Sequence, residues 1–356
     1  MIRFAWIRFR TQALVGAGLL VAAGVVLLVT RMQLDHAYAT ATLACPRPGF
    51  CGPGGFPSQG YLNMASTLGA ISLAVPALIG MFWGAPLVAR EFETGTYCLA
   101  WTQGVSRVRW LAAKFLVVGV AAMIAGELFS LAAYWWSAPI RKVQGGTALG
   151  NIGHTGITPA GYALFGLALG VAAGLFIRHT LPAMAVTLAV YTAVLIVFPI
   201  SVRPHLLPPA HTTVAFAPTG ALINITDNNT PAPDLLLQQA PPPDIPGAWI
   251  YSYKVVNQAG QPVDSVPSGV CATGPQAPSS QACTTYLASF HLRQNVTYQP
   301  ANRYWAFEAI ETAVYLALSL LLAGLCFWKI RPARPAAPDS RNTRPIRPAP
   351  ALETSP

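Results

Sequence analysis

Charge is what this sequence has least of. Of 356 residues, 10% are charged and 53% hydrophobic. A soluble domain carries about 25% charged residues, so an ordinary soluble enzyme of this length is excluded. Disorder throughout is excluded as well, because it needs low hydrophobicity. Lysine is the scarcer cation, with 4 Lys against 18 Arg. The chain has no G-x-x-x-x-G-K-[ST] phosphate loop, no H-E-x-x-H and no G-x-S-x-G. Its six histidines are scattered. ATP binding, zinc hydrolysis and serine hydrolysis therefore have no motif here, and neither a catalytic, cofactor nor metal site is expected in the chain. No basic patch is interleaved with stacking aromatics, so nucleic acid is not an expected partner.

What is present is a series of uncharged runs. A helix needs about 20 mostly apolar residues to cross a bilayer. Runs of that kind fall at 13–30, 67–88, 115–138, 159–177, 180–200 and 303–328. The expected fold is an all-α membrane protein with six transmembrane helices. Sidedness follows from Lys and Arg near the helix ends. One side collects Arg3, Arg8, Arg10, Arg90, Arg107, Arg109, Lys114, Arg178 and a tail from Lys329 to Arg347, which is 14 of the 22 basic residues. That places both termini in the cytoplasm. The first apolar run, 18 residues, is longer than the roughly 7–15 of a signal peptide and reads as a span. Residues 1–12 read either as an interfacial helix or as positive flanks with an aromatic anchor.

Between spans five and six lies an extracytoplasmic segment, 201–302, that holds 15 of the 32 prolines. Alternation from Ala248 to Val256 suggests a strand or two there. Cys45, Cys51, Cys271 and Cys283 all fall in outside loops, as two close pairs. Two disulfides are expected in an oxidising compartment, with three connectivities open and local pairing preferred. The tail 329–356 is rich in Arg, Pro and Ala without an apolar period, and is expected to be disordered.

Three features inside the membrane stand out. Gly166, Gly170 and Gly174 lie four apart on one helix face, a seam for close helix packing. Pro76 should kink the second span or mark a local opening. Glu127, Glu308 and Glu311 are carboxylates within spans, where charge is costly. One reading makes them part of a cation- or proton-linked pathway. The other has Glu308 and Glu311 snorkelling to the outer interface beside Arg303, with Glu127 hydrogen-bonded or protonated.

The loop 89–114 between spans two and three carries the most specific pattern. It runs Arg90-Glu91-x-Glu93-x-Gly95-Thr96, then Ala100-Trp101-Thr102-Gln103, then Ser106-Arg107, with Lys114 after it. Its expected form is a short helix started by Thr94 and ended near Gly104, with Ser106 capping the next span. Tyr97, Leu99 and Trp101 would give it an apolar surface for a protein partner. This pattern resembles the ABC-2 type permeases of bacterial ABC transporters, in a subgroup common in GC-rich bacteria. The loop before the last span is longer here than in compact members. The resemblance implies that loop 89–114 docks on a separate P-loop ATP-binding subunit. Arg90, Glu91, Glu93, Gly95, Thr96, Trp101, Ser106, Arg107 and Lys114 would frame that contact. It further implies an exporter in the bacterial plasma membrane, ATP and Mg held by the partner subunit, and a second permease copy or paralogue completing a dimer. The competing readings are a sensor or scaffold using segment 201–302, and a membrane-embedded enzyme.

Overall fold

The computed structural model describes residues 2–44, 58–96, 106–144, 156–216, 222–225, 234–238, 245, 247–267 and 281–331. Six helices among these are long and apolar enough to cross a membrane. Their ends overrun the apolar runs, because a helix once nucleated continues into polar sequence at little cost per residue. Helix α1 spans Ile2–Ala44 without a break, so residues 2–12 run straight on into the first span. At about 1.5 Å per residue it is roughly 65 Å long, twice the hydrocarbon thickness.

The second span is a rod of three pieces. Helix α2 (Gln59–Ile79) passes into a π-helical turn (Gly80–Gly84) and then α3 (Ala85–Glu93). Pro76 lies inside α2, and the π turn begins one helical turn later. Proline has no N–H to give the ladder, and the widened turn follows directly. Helix α4 (Arg107–Trp136) is followed by the short α5 (Ala138–Gln144), then α6 (Thr158–Ile177) and α7 (Thr180–Val197). Helix α7 extends through a π turn, Phe198–Val202, and a short 3-10 turn, Arg203–His205.

Helix α6 is the hub. It packs against α2, α3, α4, α7 and the last helix, and most of its residues are buried. Its glycine seam explains how. A Cβ on Gly166 would fall on the Pro76 carbonyl, one on Gly170 on the Gly80 carbonyl, and one on Gly174 on the Ala85 carbonyl. The reciprocal holds for Gly80 and Gly84, where a Cβ would meet the backbone of Gly166 and Leu167. Backbone therefore lies against backbone along three turns. Peripheral α1 is tied on by Arg31, which pairs with Asp35 and donates to the carbonyls of Trp135 (2.6 Å) and Trp136 (3.0 Å) at the end of α4.

Beyond α7 the chain forms two three-stranded antiparallel sheets. Strands β1 (Ala210–Ala215), β4 (Trp249–Val256) and β6 (Arg293–Gln299) make one, in the order β1-β6-β4. Strands β2 (Leu222–Ile225), β3 (Asp234–Gln238) and β5 (Ser265–Pro267) make the other. Helix α8 (Gln281–Ser289) supplies Leu287 to a small core with Val255, Val266 and Leu292. The strand or two expected around 248–256 is met by β4, one of six strands among the described residues. Helix α9 (Tyr304–Ile330) closes the bundle. Cys45, Cys51 and Cys271 lie outside the described residues, and of Cys283 only its place on α8 is described, so the expected pairings fall outside what the structure describes. The tail beyond Arg331 also lies outside.

Candidate coupling site and buried carboxylates

Loop 89–114 begins on a helix that does not stop where the sequence suggested. Thr94 closes α3 rather than opening a new helix: its hydroxyl donates to the Arg90 carbonyl at 2.9 Å and pairs with the Thr96 hydroxyl at 3.0 Å. The correction has a simple cause. A threonine can cap either end by returning its hydroxyl to the preceding turn, and the apolar face of Ala85–Ala89 carries the helix on to Glu93. Gly95 follows with φ +68, the left-handed position that glycine fills at a helix end. Residues 97–105, with Trp101 and Gly104, lie outside the described residues. Ser106 caps α4 as expected, accepting from the Arg109 N–H at 3.3 Å. Arg90 and Arg107 are exposed.

Both acidic residues of the motif are tied to other helices, Glu91 partly buried and Glu93 at the surface. Lys114 Nζ stands 2.7 Å from Glu91 Oε1, donates to the Leu87 carbonyl at 2.9 Å, and lies 4.1 Å from the centre of the Trp110 ring. Glu93 reaches the start of α7, accepting from the Thr180 N–H at 2.7 Å and its hydroxyl at 2.6 Å. A carboxylate there satisfies an N–H that the helix itself leaves open and meets the positive end of its dipole. Next to it, Arg178 turns the chain with φ 61 and lays its guanidinium 5.5 Å from the Phe92 ring. The last turn of α3 is therefore fastened to α4 by Glu91 and to the α6–α7 turn by Glu93. Arg178 and Thr180 were missed in the sequence. Their signal, a short polar break before an apolar run, fits any connector.

At the opposite end of the bundle the three span carboxylates are brought near one another. Glu308 and Glu311 do not snorkel, and Arg303 is not their partner: both are fully buried, while Arg303 donates to Pro208 and Gln299. Glu311 takes a bidentate pair from Arg203, at 3.0 and 2.8 Å, and accepts from the Tyr162 hydroxyl. Glu308 Oε2 caps α6, accepting from the N–H groups of Ile157 (3.1 Å) and Thr158 (3.2 Å) and from the Thr158 hydroxyl (2.6 Å). Gly156 makes room for it: with φ +78, a Cβ there would stand 2.7 Å from the Glu308 carboxyl carbon. Glu127 on α4 approaches the same helix end, at the Ala160 N–H, and lies within electrostatic reach of Glu308. Arg203 was not foreseen either. It sits past the fifth apolar run, where an arginine reads as a flanking charge.

Residues 17–203 match the family model described as ABC-2 membrane transporter related. No curated protein and no solved structure matches the chain. The match takes in the motif loop, the glycine seam, Glu127 and Arg203, and stops short of α9. Together with six apolar helices it makes the chain a multi-pass membrane protein.

Proposed function

Because the chain belongs to the ABC-2 membrane transporter related family, we propose that it is the membrane-spanning permease of an ATP-driven exporter, coupled through loop 89–114 to a separate ATP-binding subunit. The observation that carries this reading is the double fastening of α3. Force applied at the 94–96 turn has two routes into the membrane, through Glu91–Lys114 to α4 and through Glu93–Thr180 to α7. A loop that only rested on headgroups would need neither. In this reading Arg90 and Arg107, exposed beside that turn, present cations to the partner, and both termini face the cytoplasm with them. The sheets lie outside the cell, where Cys45, Cys51, Cys271 and Cys283 pair. The host membrane is the bacterial plasma membrane, and a second copy or a paralogue completes the path.

The test is a mild-detergent pull-down with mass spectrometry, comparing wild type with the Arg90→Ala, Arg107→Ala double variant. Recovery of a P-loop ATPase with wild type and its loss with a folded variant supports the reading. An ATPase kept by the variant moves the docking site off these arginines. No ATPase from an intact complex removes the transporter assignment and favours a sensor built on segment 201–302.

A further inference from the structure

Helix α4 starts at the motif loop, and its far end, at Trp136, gathers cations. Arg31 comes to it from α1, and Arg141 and Lys142 from α5. Arg31 donates from Nη1 to the carbonyls of Trp135 (2.6 Å) and Trp136 (3.0 Å). Arg141 donates from Nη1 to the Tyr134 carbonyl at 2.6 Å and to the Ser137 hydroxyl. Two guanidinium groups are thus seated on three consecutive carbonyls of the last turn of α4. Each also lies over an aromatic ring. Arg31 is 5.0 Å from the centre of the Trp135 ring, and Arg141 is 3.6 Å from that of Tyr134.

Part of this arrangement is helix capping. The last carbonyls of a helix have no partner within it, and a cation there meets the negative end of the dipole. Capping accounts for the Nη1 contacts and leaves the other donors over. Arg31 gives Nε to Asp35 at 2.8 Å, while its Nη2 has no partner among the described residues. On Arg141 the whole Nε–Nη2 edge has no partner among the described residues. Ring and carbonyl together hold each guanidinium in place, so these edges are set before a ligand arrives. Lys142, next to Arg141, is exposed. Asp35 is the one acid among the described residues of this corner, so three cations face one anion. The corner also sits where the apolar surface stops. Leu131 and Leu128 are exposed one and two turns earlier on α4, and Tyr134 and Trp135 are about half exposed at its level. Exposed aliphatic residues giving way to exposed tyrosine and tryptophan mark the boundary between acyl chains and headgroups.

We propose that Arg31, Arg141 and Lys142 form a binding site for the phosphate of an anionic phospholipid, with Arg141 supplying a two-pronged contact. A fixed guanidinium edge matches two oxygens of a phosphate. A lipid is favoured over a soluble anion because the aromatic rings hold the cations at headgroup depth. An anionic lipid is favoured over a zwitterionic one because the latter brings its own cation to a corner that already has three. Helix α1 is largely exposed along its span, and the bound lipid would tie it more firmly to α4 and α5.

The experiment is photo-crosslinking of the purified full-length protein in phosphatidylcholine nanodiscs. Trace phosphatidylglycerol or phosphatidylcholine carries the photoreactive group beside its headgroup, and labelling of segment 131–144 is read by mass spectrometry. Wild type should be labelled more strongly by phosphatidylglycerol. Losing two cations near a headgroup weakens binding roughly tenfold to thirtyfold, so that preference should largely disappear in Arg141→Gln, Lys142→Gln. Because Arg141 also caps α4, Arg141→Lys is the second variant. It keeps the charge and loses the two-pronged edge, and should show an intermediate preference. Melting in phosphatidylcholine alone checks that each variant is folded. Equal labelling of wild type by the two lipids overturns the proposal and needs no variant. A full preference kept by a folded Arg141→Gln, Lys142→Gln protein overturns it too. A preference erased by inorganic phosphate, but not by chloride at equal ionic strength, overturns the lipid assignment in favour of a soluble anion.

Discussion

Lys114 and Glu91 meet at 2.7 Å across the whole motif loop, with Lys114 3% exposed and its ammonium 4.1 Å from the centre of the Trp110 ring. The two ends of the loop are thereby fixed to each other before any partner arrives. A loop fastened at its base can pass a displacement on; a loose one absorbs it.

Removing one member of a buried ion pair strands the other, at a cost of about 3–5 kcal/mol. Lys114→Met should therefore lower the melting temperature clearly in detergent. The added exposure of Glu91, 15% for its side chain, keeps the loss toward the low end. A Lys114→Met, Glu91→Leu double variant should recover part of it. If the double variant melts below the single one, the pair is not what holds the loop.

Glu93 and Thr180 should behave as one unit. Glu93→Ala and Thr180→Ala are each expected to uncouple transport from ATP hydrolysis while leaving the protein folded. The double variant should be no worse than Glu93→Ala alone, because Thr180→Ala removes only the hydroxyl contact, which Glu93→Ala already removes together with the contact to the Thr180 N–H. Additive effects on coupled ATPase activity would show that the two residues act apart.

Arg203, at the end of the family match, holds a buried carboxylate of α9. Its partner Glu311 is fully buried, and Arg203 itself is 12% exposed. Arg203→Ala leaves a bare carboxylate in the bundle, again at about 3–5 kcal/mol. Arg203→Lys should rescue only in part, since an ammonium cannot reproduce the two-pronged contact. Thermal melting of the three proteins orders them as wild type, Lys, Ala.

The glycines divide by surroundings. A Cβ on Gly170 would strike the Gly80 carbonyl and stand 2.8 Å from the Ala85 nitrogen, whereas Gly18, Gly24 and Gly324 face nothing within 4 Å. Gly170→Ala should cost about 1–3 kcal/mol or prevent folding, because backbone cannot step aside as a side chain can. Gly24→Ala should be neutral or slightly stabilising. Yield and melting temperature in detergent separate the two.

Much of this architecture was legible before any coordinates. Apolar runs reported six spans because transfer into lipid depends on a run's own composition, wherever the rest of the chain goes. The glycines at 166, 170 and 174 announced close packing for a similar reason: spacing of four places them on one face whatever the partner. Neither signal says which helix is the partner. That role fell to the α2–α3 rod, whose own Gly80 and Gly84 carry the same spacing of four and likewise name no partner.

Thr94 shows the limit of local reading, since one hydroxyl serves a helix start or a helix end and only the preceding apolar face decides. The span carboxylates show it more sharply. Glu308 and Glu311 share a helix face, and from sequence the nearby Arg303 was the natural partner. The fold instead sends Glu311 to Arg203, 108 positions away, and Glu308 to a helix start 150 positions away. By itself the sequence determined that six segments are long and apolar enough to cross a membrane, that one helix is built for close contact, and that one loop carries the most specific pattern. Tertiary structure alone decided which charges are paired and which are spent on helix ends. Burial of apolar surface is additive along the chain and can be read residue by residue. The partner of a buried charge is set by where two distant helices meet, and no periodicity in the sequence records that meeting.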